Sequence, residues 1–204
     1  MNICFNHQMK KIFLFLLLCL LLSCKGRIND TLRKELIRIY STDQNRALSI
    51  NDKDFLEKWK RLNITDSINY SRISAILDSI GYPGKSLVGD TAYLAPFYVI
   101  QHSNLKAQEH YLPIIQKVAE HNEIEWKYIA MLIDRIKVNK NEKQIYGTQL
   151  QPVKDPKTGY ITDKVEFCPI EDEANINQRR QKMGLSTIEE YVKQMGVSYP
   201  SVRK

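Results

Sequence analysis

Of the four cysteines among 204 residues, three lie in the first 24 positions, and only Cys168 falls in the body of the chain. An intrachain disulfide framework and a paired-cysteine zinc site are therefore not available to that body. Glycine and proline are sparse, at eight and seven residues, which excludes collagen-like and low-complexity architectures. The longest apolar run, 12–22, is about half of the roughly 20 residues a membrane span needs, which excludes a polytopic membrane protein. The chain also lacks a basic cluster of the kind that grips nucleic acid, an HExxH pair, an acidic calcium loop and a Gly-x-Ser-x-Gly elbow. No nucleic-acid partner, metal or cofactor is expected. What remains, 43% hydrophobic and 26% charged, fits one compact domain.

The start of the chain carries a cellular address. Met9-Lys10-Lys11 is a positive segment, 12–22 is an apolar run of signal-peptide length, and Leu21-Leu22-Ser23-Cys24 resembles the bacterial lipobox. The pattern predicts a signal peptide over 1–23, cleavage before Cys24, and acylation of Cys24, whose several chains hold a protein stably on a membrane. A short polar tether, 24–29, follows. Met9 is a second plausible start, since the residues before it are atypical of a signal peptide. Lys10 and Lys11 are the only formal charges of 1–23, so removing that segment lowers the net charge from +7 to +5. The excess is dispersed, as on a solvated surface near anionic headgroups or wall polymers. No acidic export tag follows Cys24, so the expected location is the bacterial cell envelope, on the periplasmic face of the outer membrane.

The globular part, 30–204, reads as mainly helical. Asp30 suits the cap of a helix to about Tyr40, with Leu32, Leu36 and Ile39 on one face. A second helix is expected over 51–62, with Phe55, Leu56, Trp59 and Leu62 on one face. A third starts at Thr65 or Asp66, with a stripe of Ile73, Ile76, Leu77 and Ile80, and ends at Gly81 and Pro83. Helices over 90–103 and 105–121 should kink at Pro96 and Pro113. The helix over 123–138 has Trp126, Ile129, Ala130 and Ile133 at helical spacing. Strands over 145–153 and 160–167 flank the turn Asp155-Pro156-Lys157-Thr158-Gly159. Two short helices close the chain, with Gly184 capping the first. The expected class is α+β: a mainly helical single domain with one small β-hairpin near 144–168.

Several side chains invite a chemical reading. Gly84-Lys85-Ser86 lacks the earlier glycine and the preceding strand of a phosphate loop, so a tight turn is the better reading. Gln101-His102 ends a helix near its apolar stripe; His102 is either a bonded core histidine or a general base. Asp134 could orient it and Arg135 has the fork geometry to clamp a carboxylate or phosphate; the alternatives for the two are a structural ion pair or a solvated face. On a strand, Gln144, Tyr146 and Thr148 share a hydrogen-bonding face, with Ile145, Gly147 and Gln149 on the other, and Gly147 permits close approach. That face is either wet or ligand-binding. Arg179 and Arg180 are further anion-contact candidates. Cys168 beside Pro169 reads as a small buried residue.

Taken in order, Gly81-Tyr82-Pro83-Gly84 with Ser86 and Val88-Gly89, then Gln101-His102, Leu132 with Asp134-Arg135, Gln144 with Tyr146-Gly147-Thr148-Gln149, Pro169-Ile170, and Arg179-Arg180 before Gly184-Leu185 resemble a bacterial family of no assigned activity, the domain of unknown function 6624. The pieces span about 70–195. Tyr82 stands where the family often has Trp, and Pro96 is also a departure. The resemblance implies a shared fold and a shared polar site, and supplies no substrate.

Two functions follow as expectations. The first is a membrane-anchored binding module whose polar pocket, formed by Gln101, His102, Arg135, Tyr146 and Gln149, takes a peptide, a glycan or an anionic small molecule. The alternative is a hydrolase with His102 as general base, Asp134 orienting it, and Arg135 or Arg180 stabilising developing negative charge.

Overall fold

The computed structural model describes residues 28–46 and 53–197. The expected signal peptide, the expected lipidation site Cys24 and the expected tether up to residue 27 lie outside these. Helix α1, Asp30–Gln44, is capped by Asn29, one residue before the expected cap, whose side chain accepts from the Leu32 N–H at 3.0 Å. Leu32, Leu36 and Ile39 are buried as their spacing requires, and Asp43 continues the same stripe.

Helix α2, Phe55–Ile80, runs unbroken where two helices were expected. Asn63, Thr65 and Asp66 are poor helix formers but none is Gly or Pro, so nothing at that point breaks the ladder. Its first half carries no buried face. Leu56 and Trp59 are exposed, as is Ile80 at the end, and burial begins at Asn69. The pairs Glu35–Arg72, Thr42–Asn69 and Arg46–Asp66 show that α1 and α2 run antiparallel.

Gly81 ends α2 at φ +75° with its N–H on the Leu77 carbonyl. The buried Tyr82 then donates its hydroxyl to the Tyr93 carbonyl at 2.6 Å. The four-residue helix α3, Lys85–Val88, begins against Glu123, whose carboxylate accepts from the Ser86 N–H at 2.7 Å. A side chain at Gly84 would lie 2.4 Å from that carboxylate, so the turn is packed shut and is no phosphate loop.

Pro96 is the third residue of α4, Leu94–His102, and produces no break, because a first-turn N–H has no helical acceptor to lose. Helix α5, Leu105–Glu120, contains Pro113. Helix α6, Trp126–Asn139, buries Ile129, Ala130, Leu132, Asp134 and Ile136; Trp126 is exposed and Ile133 only partly buried, so the buried face is rotated from the expected one. These helices enclose the main core around Leu36, Ile73, Phe97, Ile100, Ile115 and Leu132.

Strands β1, Leu150–Lys154, and β2, Ile161–Phe167, pair antiparallel from Leu150–Phe167 to Lys154–Ile161 with one irregularity after Pro152. The Asp155 side chain accepts from the Lys157 and Thr158 N–H groups in the turn between them. Residues 144–149 are not strand, contrary to expectation; only Gln144 forms a bridge, to Ile170. A 3₁₀ turn, Glu173–Asn175, leads into α7, Ile176–Lys182, and α8, Ile188–Met195, whose cap Thr187 and Glu190 form a reciprocal capping box. Ile170, Ile176 and Ile188 make a second, small core. The fold is a mainly helical α+β single domain.

Candidate functional site

The residues singled out in the sequence divide into two clusters. The first pins the 144–149 loop. Asp134 is fully buried on α6 and accepts from four donors: Ile145 N–H at 2.7 Å and Tyr146 N–H at 3.0 Å on Oδ1, and Thr148 N–H at 3.0 Å and Thr148 hydroxyl at 2.8 Å on Oδ2. Burial pushes its carboxyl up from the usual range, against the pull of those donors. Gln144, also fully buried, donates to the Gln149 and Cys168 carbonyls and accepts from the Gln149 N–H at 2.8 Å. Arg180, 1% exposed, donates to the carbonyls of Ser186, Tyr146 and Gly147 and stacks 5.0 Å from the Tyr191 ring. Arg179 reaches the Ile145 carbonyl.

These contacts explain why the loop is no strand. Its backbone groups are met by side chains instead of a neighbouring strand, and Gly147 takes φ +66°, where a Cβ would come within 3.0–3.1 Å of Ile176, Ile170 and Ile188. Asp134, Gln144, Thr148 and Arg180 thus have internal partners, and the shared strand face of Gln144, Tyr146 and Thr148 does not exist.

The second cluster is centred on α1 and α4. His102 Nδ1 sits 3.0 Å from Asp43, not beside Asp134. Asp134 is committed to the loop, so the expected pairing is corrected: the carboxylate that orients His102 comes from α1. Asp43 also accepts from Arg46 at 3.0 Å, and Arg46 bonds Asp66 at 2.7 Å. Burial acts to raise Asp43, but the hydrogen bond and charge of His102, with those of Arg46, outweigh it and hold the carboxyl below its ordinary range. His102, Asp43, Asn63, Ser67, Tyr70 and Asn104 line a cavity of about 270 Å³. Arg46 borders another of about 360 Å³.

Next in the chain, Gln101 is buried and donates its amide to the Met131 carbonyl at 3.4 Å, while Gln149 donates to the same carbonyl at 3.3 Å and to the Thr148 hydroxyl at 3.0 Å. Arg135 follows Met131 by one helical turn on α6. Arg135 is half-buried and, among the described residues, has no hydrogen bond or ion pair; its Nε is buried and unpartnered. Burial pushes its guanidinium down, the Cys168 thiol opposes that, and the Arg46 charge adds to it. Cys168 itself is buried, and burial raises its thiol while Arg135 pulls it down. Among the described residues no three His, Cys, Asp or Glu groups are arranged to hold a metal, and no helix is long and apolar enough to cross a membrane.

The model of a family described as "Family of unknown function (DUF6624)" matches residues 30–203. The chain belongs to DUF6624. No curated protein and no solved structure matches it. The DUF6624 region contains both clusters, and it contains Asp43 and Arg46, which sequence reasoning passed over. A signal for Asp43 was present: it follows Leu32, Leu36 and Ile39 in the same helical register, where an ionisable group must find a partner.

Proposed function

We propose that this protein is an envelope lipoprotein, anchored through acylated Cys24 on the periplasmic side, that binds a ligand in a polar site formed by Gln101, Arg135 and Gln149. The observation that supports this most is Arg135. A half-buried guanidinium that has no counter-charge among the described residues costs folding free energy, and such a residue is kept for something other than folding. A peptide, a glycan or an anionic small molecule would supply the missing partners. Replacing Arg135 with Met keeps the bulk and removes the charge. The melting temperature of Arg135→Met, without ligand, should equal or exceed the parent's, by about 2–4 °C for each 1 kcal/mol gained at this size. A fall of that size would mean that Arg135 holds the fold together and would end the binding reading. Anchoring has its own test. Cys24→Ala should move the chain from the detergent-rich to the aqueous phase of a phase partition; unchanged partition would remove the lipoprotein reading.

A hydrolytic reading is supported in altered form. His102 is oriented by Asp43 and lines a cavity large enough for water and a small substrate. Water would be the nucleophile. Hydrolysis of any envelope-derived ester or amide that is lost in both His102→Gln and Asp43→Asn, but kept in Asp134→Asn, would favour it over simple binding.

A further inference from the structure

A further cavity, of about 370 Å³, lies where α3 and α6 meet the end of α7. Its size is within the roughly 300–1,000 Å³ of small-molecule sites. It shares no lining residue with the cavities bordered by His102 and Arg46. Its walls come from three stretches of the chain. Lys85 starts α3, residues 124–127 lead into α6, and Lys182, Met183 and Gly184 close α7.

One part of the lining is apolar, from Ile124, Trp126 and Met183. Ile124 is sealed and Met183 packs on the main core, but Trp126 is 37% exposed. A large aromatic ring left open beside a thioether is a surface on which the apolar body of a ligand packs.

The other part is charged. Lys85, Lys127 and Lys182 line the cavity, and among the described residues Glu125 is the carboxylate that joins them. Glu125 is already engaged, by Lys85 at 3.0 Å and by the Tyr93 hydroxyl at 2.9 Å. The adjacent Glu123 accepts from the Ser86 N–H. With Glu123 counted as well, three cations face two carboxylates, so the balance is positive. Lys127 and Lys182 form no ion pair among the described residues. The Lys127 ammonium lies 5.0 Å over the Tyr128 ring, a contact that leaves its charge uncompensated.

We propose that this cavity binds an organic anion with a flat apolar body. The body packs on Trp126 and Met183, and the anionic group, a carboxylate or a phosphate monoester, is met by Lys127 and Lys182. The site shares no residue with the one proposed around Arg135, and neither depends on the other. Because its walls come from different parts of the chain, a bound ligand ties the end of α7 to the start of α6.

The test is a ligand-observed NMR titration of the purified full-length chain in detergent micelles, with protein-free micelles as blank. The probes are benzoate, phenyl phosphate, benzamide and inorganic phosphate. Benzoate or phenyl phosphate should bind, and the tighter of the two identifies the anionic group. Benzamide has the body without the charge, and inorganic phosphate the charge without the body. Each should bind about tenfold more weakly or worse, the scale of one lost charge-assisted hydrogen bond. Lys127→Gln combined with Lys182→Gln, and separately Trp126→Ala, should weaken the tighter probe to the same extent. Lys182 is exposed, so Lys182→Gln alone leaves the fold intact and should weaken that probe several-fold. Arg135→Met should bind it as the parent does. The bound probe should slow amide hydrogen exchange at both 124–127 and 182–185. The proposal is overturned if neither benzoate nor phenyl phosphate binds, or if benzamide binds as tightly. It is also overturned by undiminished binding in the lysine variants, by loss of binding in Arg135→Met, or by slowed exchange confined to one wall.

Discussion

Asp43 and Asp134 are buried to the same depth, and their neighbours send them in opposite directions. Asp134 has four hydrogen-bond donors and, among the described residues, no ion pair, so burial prevails and its carboxyl is raised. Asp43 has an imidazole and a guanidinium, and its carboxyl is lowered. The sign of each effect on stability follows. A carboxyl lowered in the folded state contributes stability that is fully present above its unfolded value, about 3.8–3.9, and is lost as pH falls through the folded value. A raised one works in reverse, in the window between its folded value and the unfolded one. Asp43→Asn should therefore be less stable than the parent at pH 6, by about 1–3 kcal/mol. The two should converge as the pH is lowered below about 4. Urea midpoints from pH 6 to pH 3 decide this; parallel curves would show that the His102–Asp43–Arg46 contacts contribute nothing to acid sensitivity. The partner of His102 was not legible, because it lies 59 positions away on another helix and no spacing rule joins them. The presence of a carboxylate at a core position of α1 was legible, since the register alone shows it.

At the scale of elements, what could be read was what backbone chemistry decides locally. The glycines at 81, 159 and 184 take positive φ at turns or helix ends, Asp155 organises the hairpin turn, and Thr187 with Glu190 starts α8. What could not be read was decided by tertiary contacts. The break expected near Thr65 does not occur, since cap-type residues stop a helix only when some other use of the backbone competes, and on this exposed surface none does. Residues 144–149 carry an alternating pattern that suits a strand, yet they curl around Asp134. A single carboxylate that collects three backbone N–H groups replaces a strand partner, and no periodicity records that. The strand pattern and the loop require the same residue types for different reasons: both need side chains that make hydrogen bonds.

The whole molecule has two hydrophobic cores of unequal size, and its polar residues make the joint between them. Among the described residues, no helix or strand after residue 149 packs directly along α1–α6; the links include Met183, which touches the main core, the buried Cys168 near Arg135, and the 144–149 loop held on α6 by Asp134. From the other side Arg180 holds the same loop through the Tyr146 and Gly147 carbonyls. One buried carboxylate thus couples the small C-terminal unit to the helical body. In Asp134→Ala three N–H groups lose their acceptor at once, and a cost of about 1–3 kcal/mol for each buried donor left unpaired would consume much of the unit's margin. The loss should be local, because the helical core contains none of those groups. The two tryptophans, Trp59 and Trp126, both lie in the helical body, but Trp126 also lines a cavity with Met183 and Gly184 of the C-terminal unit, so the measurements are made in a Trp126→Phe background, where the fluorescence of Trp59 reports on the helical body alone. In the parent protein, fluorescence and amide hydrogen exchange across 150–195 should report a single transition in urea. In Asp134→Ala the exchange protection of 150–195 should collapse at a lower urea concentration than the fluorescence midpoint. If both signals shift together, the carboxylate stabilises one cooperative unit and does not act as a hinge pin between two; if neither shifts, the loop is held by Gln144 and Arg180 without it.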